Sequence, residues 1–125
     1  MNALSQIHAA LIQGGLVVDT QPVSAQPPVE TQAAQLGTLD MREWAKTIKT
    51  IDGLVEQTIS DGLFALGEER RFIVTDDYED GAEFVAETRG WAGTRIDEAF
   101  AARLESEHRP VRLHQEVRLR VLRAL

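Results

Sequence analysis

The strongest periodic signal in the chain lies between residues 40 and 66, where Met41, Trp44, Ile48, Ile51, Val55, Ile59, Leu63 and Leu66 follow one another at steps of three or four. Such steps draw one apolar stripe along a helix, with Ile48, Ile51, Val55 and Ile59 on its buried face. Asp40 with Glu43 three residues on has the form of a capping box, and Gly67 is a natural stop. Gly53 and Gly62 weaken the run and allow a bend. At about 1.5 Å per residue the unbroken helix would be about 40 Å long, more than a domain of this size needs for its own core, so part of the stripe is expected to face another chain.

Leu4, Ile7, His8, Leu11 and Ile12 share one helical face, closed by Gly14 and Gly15, and Leu16-Val17-Val18 follows as a strand over about residues 15–20. Residues 71–75 read as a strand, and Asp80-Gly81 is a hairpin-turn signal that would return the chain over 83–89. A competing reading makes 81–89 a helix capped by Asp80 and closed by Gly90; the antiparallel hairpin is preferred. Thr94 or Asp97 starts a helix that carries Ile96, Phe100 and Leu104 inward. Val111, Leu113, Val117, Leu119 and Val121 alternate with polar residues as in a half-buried strand, although Leu113, Val117, Val121 and Leu125 also fit a helical step. The strand is favoured, because Val111 and Leu119 fit only that period. The expected class is therefore α+β: a small single domain with an N-terminal helix, a long central amphipathic helix, an antiparallel hairpin and a C-terminal strand.

One segment fits neither period. Residues 21–37 contain Pro22, Pro27 and Pro28, are rich in Gln, Ala and Thr, and lack aromatics. A connection this long and this poor in apolar side chains cannot build its own core. It is expected to form an extended arm ordered against a partner.

Composition narrows the class. At 125 residues and 43% hydrophobic, one globular core is expected. The absence of cysteine removes disulfides and thiolate chemistry, and with no basic leader or apolar span the expectation is a cytoplasmic or virion protein, not one secreted by a signal peptide. Charge is unevenly placed: residues 1–41 have no Lys or Arg, 68–107 hold twelve acidic against five basic residues, and 108–125 hold five arginines against Glu116 alone.

Catalytic constellations are not recognisable. His8 sits on an apolar helix face, His108 and His114 lack zinc spacing, and no serine lies in a nucleophile elbow. Gly90 and Gly93 lack the rest of a nucleotide fingerprint. Asp76, Asp80, Gly81 and Glu87 overlay four positions of a calcium loop, yet Tyr78 replaces a ligand, and a solvated acidic tip is the preferred reading. No cofactor is expected. Arg112, Arg118 and Arg120 share one strand face without interleaved aromatics, which disfavours nucleic acid and suits an acidic protein surface such as Asp76, Asp77, Glu79 and Asp80 of a neighbouring copy. Trp44 and Trp91 read as core anchors.

The opening Ala3-Leu4-Ser5-Gln6-Ile7-His8-Ala9-Ala10-Leu11-Ile12, followed by a glycine pair and Val17-Val18, resembles the starts of small tail-terminator and tail-completion proteins of tailed bacteriophages. The resemblance covers residues 3–18 and carries no diagnostic motif. It implies a structural ring subunit at the head–tail junction or tail end, a homo-oligomer working by contact with other assembly components, with Pro22, Pro27, Pro28 and the charged residues above as candidate interface. The alternative is a small acidic inhibitor, of the anti-CRISPR kind, whose carboxylates block a nucleic-acid-binding partner.

Overall fold

The structure is a computed structural model that describes residues 3–125. In chain order the elements are α1 (Ala3–Ala10), β1 (Leu16–Pro22), β2 (Pro28–Glu30), β3 (Gln35–Thr38), α2 (Arg42–Ser60), β4 (Phe64–Tyr78), α3 (Gly81–Thr88), α4 (Glu98–Glu105) and β5 (Val111–Ala124). The class is α+β, with an antiparallel sheet organised around β5. Along one edge β5 pairs with the whole of β4, from Phe64↔Ala124 to Tyr78↔Val111. Along the other edge it pairs first with β2, through Glu30↔Arg112 and Val29↔Leu113, and then with β1, from Pro22↔Val117 to Leu16↔Arg123. β3 closes the sheet beyond β2.

The C-terminal alternation is thus a strand, as favoured, but it is covered differently along its length. Val111, Leu113, Gln115 and Val117 are buried in its first half, and Arg118, Arg120, Leu122 and Ala124 in its second. Pairing with β1 and β4 runs unbroken across Val117 and Arg118, so no bulge resets the phase. Side chains alternate across a strand. The rest of the chain therefore covers one face of β5 in the first half and the opposite face in the second. The first core joins Val111 and Leu113 to Val29, Leu39, Tyr78, Phe84, Phe100 and Leu104. The second joins Leu122 and Ala124 to Val55 and Phe64, with Leu4, Leu11, Val17 and Ile59 packed against it.

Three expectations are corrected. The central helix is shorter than its stripe: α2 runs through Gly53 without interruption but ends at Ser60, because Gly62 takes the left-handed conformation (φ 76°) that turns the chain into β4. Leu63 and Leu66 continue the helical spacing by coincidence, and Gly67 is the extra residue of a bulge between Leu66 and Glu68 in β4. The capping box at Asp40 is not made; Met41 is the N-cap, Asp40 takes a bidentate contact from Arg42, and Glu43 pairs with Arg95. The preferred hairpin over 71–89 is not made either. Asp80 accepts a hydrogen bond from the Glu83 amide (2.9 Å) and Glu83 in turn accepts one from the Glu79 amide (2.6 Å), the reciprocal satisfaction that starts a helix. Residues 81–88 are α3.

Residues 21–37 do not extend as an arm. Val23 donates its amide to Glu116, Ser24 Oγ accepts the Glu116 amide, and the chain then makes the short β2–β3 hairpin, closed by Thr31 N to Ala34 O. Few apolar groups are needed because β5 supplies the backbone partners, and Pro27 and Val29 are fully buried.

Gly81 serves close approach rather than a turn: a Cβ there would lie 1.7 Å from the Leu104 carbonyl oxygen, at the end of α4, and the Gly81 amide donates to Glu107 O (2.9 Å). Gly81→Ala is expected to cost about 1–3 kcal/mol or more, as overpacking against backbone does. Gly53→Ala, in a helix interior with nothing within 4 Å, is expected to add about 0.5–1 kcal/mol. Urea midpoints of the two variants, moving in opposite directions, check both placements.

Candidate interaction surface

The face of β5 that carries Arg112, His114, Glu116, Arg118 and Arg120 is a ladder of ion pairs and hydrogen bonds, each closed by a neighbouring element. Arg112 donates to Asp77 on β4 (2.9 Å). His114 donates from Nε2 to Glu30 on β2 (2.5 Å) and accepts at Nδ1 from the Thr75 hydroxyl (2.8 Å), an arrangement that the neutral Nε2–H tautomer satisfies. Glu116 lies 3.5 Å from Arg71. Further along, α2 crosses the ladder. Arg118 grips Asp52 with both terminal nitrogens (2.6 and 3.1 Å), while Arg120 holds Asp19 on β1 (2.9 Å) and reaches Asp52 (3.1 Å).

This ladder answers the charge imbalance within one chain. Arg118 and Arg120 are only 5% and 6% exposed, so they are not a free basic face. The Arg118 guanidinium beside Asp52 holds that carboxyl below the usual range, against the opposing effect of partial burial. Among the described residues Arg118 Nε is buried without a hydrogen-bond partner, with a Glu69 carboxylate oxygen 3.9 Å away.

The acidic residues are also distributed. Asp76 and Asp77 are consecutive on a strand, so their side chains point to opposite faces and do not close a loop around an ion. Asp80 is spent on the helix cap, and only Asp77 and Glu79 of this group are exposed. Tyr78 is buried edge-on against Phe84, and its hydroxyl is pushed upward by burial and then by Glu87. Among the described residues no group of three or more metal-ligating side chains converges. Pro22 and Pro28 are half-buried at strand ends and Pro27 is in the core. Of the ten sequence candidates, the structure joins Arg112 to Asp77, gathers Arg118 and Arg120 on Asp52, which was not among them, and scatters the others.

A different surface is left open. Opposite the ladder, in the half of the sheet where α2 takes the other side, Leu16 and Val18 of β1 are 60% and 61% exposed. They lie across from Arg123 and Val121 of β5. Half-buried Leu119 and exposed Phe72 extend the same face, since Phe72 pairs with Val117. Beside it runs the outer edge of β4, fifteen residues long, with Leu66 and Ile73 47% and 63% exposed. Long open edges and contiguous apolar sheet faces are surfaces that single domains ordinarily cover or blunt. The sequence signal was present in Leu16-Val17-Val18, a run apolar on both faces; only the Val17 side meets the second core.

No family model matches the chain, and neither does any curated protein or solved structure. No helix among the described residues is long and apolar enough to cross a membrane.

The Arg118–Asp52 contact yields a stability test. Asp52→Ala leaves a buried guanidinium short of its partner and is expected to cost about 3 kcal/mol at neutral pH, the low end for a buried pair because Asp52 is part-exposed. The folded pKa of Asp52 lies below its unfolded value of about 3.9, so its contribution is present above about pH 4 and is lost as pH falls through the folded value. Urea unfolding of wild type and variant should therefore converge in acid; a gap that stays constant would contradict the assignment.

Proposed function

We propose that the chain is a non-enzymatic assembly subunit that works by protein–protein contact through the open part of its sheet. The observation that carries this reading is the uncovered apolar face of Leu16, Val18, Leu119, Val121 and Phe72, which joins neither core among the described residues. Burying such side chains yields about 25 cal/mol per Å² removed from water, so a second sheet or a second copy laid on it is favoured over solvent. The expected assembly is a homo-oligomer. The resemblance of residues 3–18 to phage tail-terminator and tail-completion proteins extends the proposal to a ring subunit at a head–tail or tail end, acting in the host cytoplasm or the virion with other assembly components.

The reading as an acidic inhibitor has less support. Asp77, Glu83, Asp97 and Glu107 contact arginines or backbone amides of their own chain, which reduces what they would offer a nucleic-acid groove.

The proposal is tested by mass. Sedimentation of the wild-type protein over a wide concentration range should show a species larger than the 13.9 kDa monomer, and Val18→Asp should reduce it at unchanged far-ultraviolet circular dichroism. A wild-type protein that stays monomeric at hundreds of micromolar (~10⁻⁴ M, an affinity of only about 5.5 kcal/mol) would contradict the reading.

A further inference from the structure

The outer edge of β4 carries a charge pattern in which Glu69 and Arg71 flank Arg70 with opposite signs. We propose that β4 pairs antiparallel with β4 of a second copy, about a two-fold axis through Arg70, to join the two sheets into one. The inference rests on the assembly reading above and adds to the apolar face a second contact, along the sheet edge.

An antiparallel pair related by a two-fold axis perpendicular to the sheet sets one residue opposite its own copy, and residues directly opposite share a face. With Arg70 on the axis, Arg71 of each copy faces Glu69 of the other, an attractive pair made twice. Leaving Gly67 out of the ladder, as it already is against β5, brings Ile73 opposite Leu66 and Val74 opposite Ala65. The faces agree: Leu66, Glu69, Arg71 and Ile73 pair with Leu122, Arg120, Arg118 and Glu116, which all lie on the same side of β5. Two exposed apolar side chains of β4, Ile73 and Leu66, are thereby covered by each other. The axial Arg70 residues meet on the opposite side, each with its own Glu68 at 2.5 Å and Glu68 of the second copy diagonal to it. Other registers lose this match. An axis through Glu69 sets the two Glu69 carboxylates face to face and moves Ile73 from Leu66 toward Phe64, whose side chain is 1% exposed and already fills the second core.

Two experiments read the contact. Native cysteine is absent, so Arg70→Cys introduces a single thiol at an exposed position. On the axis it would face itself at about 4.5–5.5 Å between Cα atoms, within the reach of a disulfide. Mild oxidation should convert Arg70→Cys to covalent dimer and leave Lys49→Cys, on the exposed side of α2, uncoupled. In the second, Glu69→Lys and Arg71→Glu should each lose the dimer alone, because each sets like charges opposite one another at both ends of the contact. An equimolar mixture of the two variants should regain it, since both cross-strand positions of the mixed pair then set a positive side chain against a negative one. Circular dichroism verifies that each variant is folded, and the thiol experiment stands independently of both. Crosslinking at Arg70→Cys with recovery on mixing supports the pairing. Wild-type oligomer without crosslinking or recovery overturns the β4 contact and leaves the assembly reading standing, whereas a wild-type monomer overturns both.

Discussion

Arg118 and Val117 are neighbours on one strand and both are buried, although their side chains leave β5 in opposite directions. That condition organises the molecule. A strand buried on one face throughout needs one layer of helices; β5 is covered by α3 and α4 with Leu39 and Met41 on one face and by α2 with α1 on the other. Arg118 stands where the cover changes sides. Its planar guanidinium reaches Asp52 bidentately, which ties α2 to β5 at a defined position along the helix, and Arg120 ties the same carboxylate to Asp19 on β1.

Covering opposite faces in succession leaves two uncovered regions, and they differ chemically. Beside Arg112, His114 and Glu116 the open face is polar and completed by cross-strand partners on β2 and β4, so it needs nothing further. Beside Leu119 and Val121 the open face is apolar, and Leu16, Val18 and Phe72 enlarge it. The charges on the polar face of β5 are largely paired with neighbouring elements of the same chain. Among its exposed features are aliphatic surface and a strand edge, the two on which the proposed contact with another chain rests.

Much of the fold was legible in the residues. The helical stripe of Ile48, Val55 and Ile59, the Leu16-Val17-Val18 run and the alternation after Val111 each stated the local period, and tertiary packing agreed with it. The failures have physical causes. Asp80-Gly81 serves a hairpin or a helix N-terminus equally well, and Glu83 three residues on decided for the helix through its bond to the Glu79 amide. Residues 21–37 looked unable to order themselves because hydrogen bonds to β5 leave no mark in composition. The arginines read as an unpaired basic face because Asp52 and Asp19 are sixty-six and one hundred and one residues distant, and pairing over such separations is set by topology alone. The open surface escaped for a related reason: nothing in Leu16-Val17-Val18 distinguishes the side that finds a core from the side that does not.

If the open sheet is an intermolecular surface, as proposed, amide hydrogen exchange of the unmodified protein differs between low and high concentration. Among the described residues the outward amides of β4 and β1 have no partner strand within the chain, so they should exchange rapidly when dilute and gain protection as concentration rises, while α3 and α4 exchange identically in both conditions. Exchange of β4 and β1 that is independent of concentration, or protection that grows at α3 and α4 instead, would contradict the account.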